Sequence, residues 1–453
     1  MGRCLRDRAG RTERIAIVTG GRASLPGMTS APDRWWDCPL DVETLAQQSV
    51  DRTRGALARL ARTRGLGTRI DTTDELIAAG FAAFDHLRVD GEPVEAWAEL
   101  SGFVRAADGW VRLHGNFPHH ADALRRLYGI RDRAGLEAAL ARRPAADVEA
   151  EVAEAGGIAV RVRDREEWER HPQALARAGH PWAEREERGG REPLTTLATT
   201  TSTGPDVLPL AGVRVLDLTR VLAGPTASQL LACLGADVLR IDPPHRPELI
   251  AQHLVTGMGK RSTVLDLRRE SDLRRTRELA AMADVILSGY RPGALDALGL
   301  GPDDLVALAP HAVIALLSAW GEAGPWGSRA GFDSIVQAAA GIGAACGTAE
   351  RPGALPVQAL DVATGHLIAA EVLDALSDAR ARRLRFSLLG AAEALWALPR
   401  RSGRAVAELE VPTVRVRVGE RRLRVVPPVL RLDGQMIAQD VGEYGAAAPA
   451  WRD

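Results

Sequence analysis

The sequence predicts an α/β fold: a largely parallel sheet in the second half, preceded by a smaller, mostly helical α+β unit. Three observations predict it. From residue 213 onward, short apolar runs alternate with helical stretches, the rhythm of strand–helix–strand units. Before residue 186, helical periodicity dominates and only two short runs read as strands. A chain of 453 residues with 46% hydrophobic content and a net charge of −1 is long enough for two to three packed domains and excludes disorder of the whole.

Taken in order, residues 1–34 read as a loose tail, with Met28 an alternative start. Residues 35–185 form the α+β unit: helices over 41–64, 73–85, 120–128 and 136–153, and strands over 109–115 and 156–162. Residues 186–208 are rich in Gly, Thr, Ser and Pro and read as a linker. The α/β unit covers 209–390. Its strands are expected over 213–218, 238–241, 262–267, 285–288 and 313–318, and its helices over 226–234, 273–282, 303–308, 332–345 and 361–380. The C-terminal segment 391–453 alternates between 411 and 429 and predicts short strands.

Composition excludes several functions. Charged residues make up 26% of the chain but nearly cancel, so no global field favours nucleic acid or an anionic membrane. No apolar run reaches the roughly 20 residues needed to span a bilayer. Cys4, Cys38, Cys233 and Cys346 are far apart and form no CxxC pair, which argues against a disulfide framework or a zinc site and favours a reducing cytoplasm. No HExxH, Walker loop or Ser/His/Asp signature is present, and no metal is expected.

Chemistry concentrates in four places. Arg220-Val221-Leu222-Ala223-Gly224-Pro225 follows the first strand of the α/β unit; it lacks the G-x-G-x-x-G of a dinucleotide site, yet ligands of open α/β sheets bind at strand carboxyl ends. Its bland reading is a helix start. Tyr290-Arg291 follows another strand and offers an aromatic face beside a guanidinium, though a Pro/Gly turn explains it nearly as well. Glycines 321, 324, 327, 341, 343 and 347 suit a mobile lid or a close helix crossing. Asp361 opens a long apolar helix, where a helix cap is the commonest role; the same place would keep a nucleophilic carboxylate ionised. His366, one turn on, reads as a helix-surface residue. Lys260 is the single lysine among 58 basic residues, and coding bias explains it as well as function does.

Read together, 209–225, 234–243, Gly259-Lys-Arg-Ser262, 283–293 and Gly331-Phe-Asp-Ser334 resemble the family III coenzyme A transferases, which include formyl-CoA transferase, carnitine CoA-transferase and α-methylacyl-CoA racemase. The resemblance covers about residues 209–390. It implies a Rossmann-like large domain, a homodimer, and CoA as substrate and acyl carrier, with an acyl-CoA and a carboxylic acid as partners. Arg220, Val221, Leu222, Ala223, Tyr290 and Arg291 would then line the CoA site, with Lys260 and Arg261 near its phosphates. Asp361 falls where the family has its nucleophile, and would form an aspartyl mixed anhydride. Racemase members have a histidine where this chain has Phe332, so transfer is preferred over racemisation. The segments resembling the family's small domain, 108–113 and 156–162, precede the α/β unit instead of following it. A catalytically silent CoA-binding partner subunit is therefore the alternative reading.

Overall fold

The computed structural model describes residues 34–95, 97–197, 208–400, 406 and 408–452. The tail expected over 1–34 lies outside them except for Arg34, which is buried and donates to the Cys38 carbonyl at 2.7 Å.

A seven-stranded sheet organises the molecule. Its order is Arg261–Val264, Asp237–Asp242, Arg214–Leu218, Val285–Ser288, Val313–Ser318, Arg380–Ser387, Ala183–Gly190. The first six are mutually parallel and the last is antiparallel. The three central strands are apolar at their middles because both faces are covered: Val215, Leu216, Val285, Ile286, Val313 and Ile314 are all fully buried. The chain adds strands in one direction from Arg214–Leu218 and then restarts on its other side with Val285–Ser288. The order reverses between these two neighbours, which pair Leu218 with Ser288, and the crevice at their carboxyl ends is where such sheets bind ligands.

Two strands of this sheet were not expected. Residues 186–190, read as the start of a linker, belong to the strand Ala183–Gly190, and the helix expected to run to 380 ends at Ser377, leaving Arg380–Ser387 as a strand. Both are dense in charge, and the charges pair across the strands: Arg383 with Glu186 at 2.7 Å and Arg382 with Glu187 at 2.6 Å. Three helical readings also divide, the one over 73–85 at Ala82. Pro144 separates Arg133–Leu140 from Ala145–Glu154, and Gly341, with φ +86°, separates Asp333–Ala339 from Ile342–Ala345.

The two halves share one core. The first long helix, Val42–Thr63, is capped by Asp41 and packs along Ala359–Ser377, where Thr53 donates to the His366 carbonyl at 2.8 Å. Glu371, fully buried on Ala359–Ser377, accepts from Arg52 and Arg185 of the N-terminal half. The C-terminal strands Val414–Val418 and Arg421–Val425 join a four-stranded sheet with Arg88–Val89 and Glu92–Pro93. A separate three-stranded sheet, Gly102–Arg105, Trp110–Leu113 and Ala159–Arg161, has its own apolar cluster.

Candidate active site

The helix Ala359–Ser377 is apolar on every side because it is buried on every side, so a carboxylate in its first turn is an exception that needs a reason. It crosses Ala223–Cys233 at Gly365, where a side-chain carbon would stand 2.5 Å from the Ala223 carbonyl oxygen. Only glycine allows that approach. Gly224 is needed for the same reason, since a Cβ there would stand 2.3 Å from the Thr219 Cβ. The crossing brings the first turn of Ala359–Ser377 to the loop that follows Arg214–Leu218.

Asp361 is the third residue of that helix, not its cap, which is Gln358. Its backbone N–H donates to Asp333 Oδ2 at 2.9 Å, and Asp333 also accepts from Gln337 Nε2. Asp361 is 5% exposed, and among the described residues no donor reaches its carboxylate oxygens. Burial first, and the Asp333 charge second, push its pKa well above the usual carboxylate range; burial also pushes Asp333 up to about 6. Against the expectation that the helix start keeps Asp361 ionised, burial and the Asp333 charge both favour the protonated form.

Arg220, Val221, Ala223, Tyr290, Arg291 and Asp361 line one cleft of about 550 Å³ at the crevice between the two neighbouring strands. Leu222 instead faces an adjoining cavity of about 360 Å³, which Asp361, Val221 and Phe332 also line. Asp361 therefore stands where two cavities meet. Val221 has φ +71°, a left-handed conformation that a β-branched residue adopts at a cost of about 1–3 kcal/mol. Its N–H donates to Glu248 Oε2 at 2.8 Å, and Glu248 is held by Arg240 at 2.9 Å. Arg220 donates to the Pro247 carbonyl at 2.8 Å and lies 4.9 Å from the Phe117 ring centroid.

Lys260 and Arg261 are not in either cavity. The Lys260 ammonium is buried beneath the loop, 2.9 Å from Ser228 Oγ and 3.4 Å from Asp217 Oδ2. Burial brings its pKa down to about 8. Burial alone would raise Asp217, but Lys260 and Arg240 hold it below the usual range. Arg261 grips Asp237 through two nitrogens at 2.9 and 2.7 Å and donates to the Ala450 carbonyl. Both cations are committed to protein partners. His366 is likewise buried, stacked on Phe81, rather than on the surface. The loop around Gly321 and Gly324 is fastened by Gln173, which donates to the Trp320 and Ala323 carbonyls at 3.1 and 2.8 Å and accepts from the Trp326 N–H.

Sequence reasoning missed the N-terminal half's share of the site. Phe117, His119 and His120 line the cleft, as do Arg246 and Arg268 from the α/β unit. Burial and then the charges of His119, Arg246, Arg220 and Arg291 bring His120 down to about 3, so the imidazole is neutral and the cleft is cationic. The available signal was the run His114-Gly-Asn-Phe-Pro-His-His120, which holds three of the ten histidines. A cationic cleft with a carboxylate at its inner end suits an anionic ligand whose reacting carbon meets Asp361. Among the described residues no group of three His, Cys, Asp or Glu side chains is placed to hold a metal ion, and no helix is long and apolar enough to cross a membrane.

Residues 210–420 match the model of CoA-transferase family III. Over 182 residues the chain is 42% identical to a probable fatty acyl-CoA transferase of Mycobacterium tuberculosis, covering 37% of this chain and 46% of that protein. Over 176 residues it is 35% identical to the succinyl-CoA:glutarate CoA-transferase of Homo sapiens, covering 35% and 40%. Over 212 residues it is 31% identical to a succinate–glutarate CoA-transferase of Agrobacterium fabrum, covering 42% and 53%. The chain spans about half the length of the curated relatives it matches.

Proposed function

Because residues 210–420 match the model of CoA-transferase family III, we propose that the protein moves coenzyme A between an acyl-CoA thioester and a carboxylic acid, with Asp361 as the nucleophile. The observation that supports this reading most is the position of Asp361: a buried carboxylate with unclaimed oxygens, at the junction of a cationic cleft and a second cavity.

In this mechanism an ionised Asp361 oxygen attacks the thioester carbonyl, the C–S bond breaks, and CoA thiolate leaves from a mixed anhydride. The thiolate attacks the aspartyl carbonyl, giving an enzyme–CoA thioester and releasing the first acid. The acceptor carboxylate reverses the sequence, leaving as a new acyl-CoA and regenerating Asp361. Arg220, Arg246, Arg268, Tyr290 and Arg291 would hold the CoA portion, with guanidinium groups meeting phosphates. The arginines lining the cleft would also favour an ionised Asp361. Burial limits the water that would hydrolyse the anhydride. The likeness to this family also supports a homodimer.

The test is CoA exchange between an acyl-CoA and a free acid, for the wild type and Asp361→Ala. Exchange in the first and none in the second supports the proposal. CoA binding without exchange in the wild type would replace it with a silent CoA-binding subunit.

A further inference from the structure

The strand Trp110–Leu113 lies outside the family match and supplies a buried cation, Arg112. It is 8% exposed, yet it makes no ion pair or side-chain hydrogen bond among the described residues, and its Nε has no partner. Its guanidinium carbon lies 4.7 Å from the Phe103 ring centroid and 5.1 Å from that of Trp97. Ring faces of this kind offset only part of the cost of an uncompensated buried charge. Burial lowers its pKa to about 10, which still leaves it charged at neutral pH. Asp333 acts on it through its field but forms no ion pair with it, and the Asp333 oxygens already serve Asp361 and Gln337.

Three more polar atoms around Arg112 are buried without partners: His114 Nδ1, Gln252 Oε1 and Ser334 Oγ. Their side chains are at most 6% exposed. With Arg112 they line the 360 Å³ cavity that reaches Asp361. Orphaned polar groups of this kind are costly, and a single chain rarely leaves four around one cavity unless a ligand or solvent satisfies them. An anion that accepts hydrogen bonds satisfies the Arg112 and Ser334 donors, whereas Gln252 Oε1 is an acceptor that needs a donor of its own. Burial brings the His114 pKa down to about 3, so His114 is a neutral donor or acceptor and Arg112 alone supplies the charge.

We propose that this cavity receives the acyl group and that Arg112 binds a second carboxylate on it, which makes dicarboxylic acids and their mono-CoA thioesters the substrate class. The inference rests on Asp361 acting as the nucleophile: with the thioester carbon at Asp361, the CoA arm lies along the cationic cleft and the acyl chain enters the chamber. Arg112 and Ser334 then donate to the far carboxylate. Arg112 is a specificity-determining residue that touches substrate away from the reacting bond.

The test compares succinyl-CoA and glutaryl-CoA with butyryl-CoA and valeryl-CoA, which match them in chain length but lack the second charge. In the wild type, kcat/KM should favour the charged pair by about hundredfold, the worth of a charged hydrogen-bonded contact. In Arg112→Gln that ratio should fall to near one, and Arg112→Lys should recover part of it. A wild type without preference, or an Arg112→Gln variant that loses both substrates in equal proportion, overturns the proposal. Calorimetric titration with free glutarate, against valerate, reads the chamber without chemistry. Glutarate binding that Arg112→Gln abolishes supports the chamber even if no acyl-CoA reacts, and equal binding of the two acids refutes it even if Asp361 proves to be the nucleophile.

Discussion

Lys260 and Arg112 are both cations buried beside the loop Thr219–Leu222 or the cavity it lines, and they differ in what surrounds them. Lys260 has Asp217, Ser228 and the Pro225 carbonyl within 3.5 Å, and Asp217 is further held by the Thr219 N–H. Arg112 has two aromatic faces, an orphaned Nε and an open cavity. Asp217 and Asp361 repeat the contrast among acids: one is held below the usual carboxylate range by its partners, the other is raised by burial and Asp333. Burial with partners builds the loop; burial without them leaves free energy that a ligand can recover.

The sharpest way to break this contrast is at Asp361. Asp361→Ala should lower CoA exchange by at least about ten-thousandfold, as loss of a covalent nucleophile does. Thermal unfolding should show no loss of stability, because the replacement removes a carboxyl that the fold does not satisfy. A variant that unfolds would mean Asp361 is structural, like Asp217.

Lys260→Met should do the opposite. Removing one partner of a buried pair leaves Asp217 uncompensated, at a cost of about 3–5 kcal/mol measured by urea unfolding. If the variant instead keeps its stability and raises KM for acyl-CoA, then Lys260 is a phosphate ligand and the contrast fails.

A smaller effect is that of pH. Asp361 must be ionised to attack, and its pKa is raised, so the rate of the first half-reaction should climb about tenfold per pH unit below that value and level off above it. The sign for stability is the reverse. A carboxyl with a raised folded pKa stabilises the protonated fold below the ordinary carboxylate range, and that contribution is lost as pH rises through the folded value. Asp361→Asn should therefore gain on the wild type as pH increases, followed by unfolding from pH 4 to 8. A rate that is already level near pH 4 would show that Asp361 is not raised.

The smallest effect is expected at Val221. Glycine there removes left-handed strain but adds freedom to the unfolded chain, so Val221→Gly should change stability by no more than about 1 kcal/mol while raising KM for acyl-CoA as the loop loosens. A loss of several kcal/mol would mean that the valine side chain, not its backbone, holds the loop.

Much of the α/β unit was legible because its signals are local. Val285–Ser288 and Val313–Ser318 fall where their apolar runs lie, and the order of motifs put Asp361, Arg220 and Tyr290 within reach of one another. What was hidden depends on direction or on distance along the chain. Lys260 and Arg261 sit between two matched motifs, but spacing does not reveal that both side chains turn toward Asp217 and Asp237. Ala183–Gly190 and Arg380–Ser387 carry charges that make sense only once each strand has found the other, almost two hundred residues away. The Cys38 and Cys346 sulfurs, 3.7 Å apart, were separated in the same way. Arg112 stood in a strand that was foreseen, yet its lack of a partner is a property of the folded cavity alone.

The central claim is tested most directly by trapping the intermediate. Wild-type protein mixed briefly with acyl-CoA, quenched and digested, should yield the peptide containing Asp361 with an added hydroxamate when hydroxylamine is present, and Asp361→Ala should yield none. A hydroxamate on another residue, or exchange activity with no adduct on Asp361, would contradict the account.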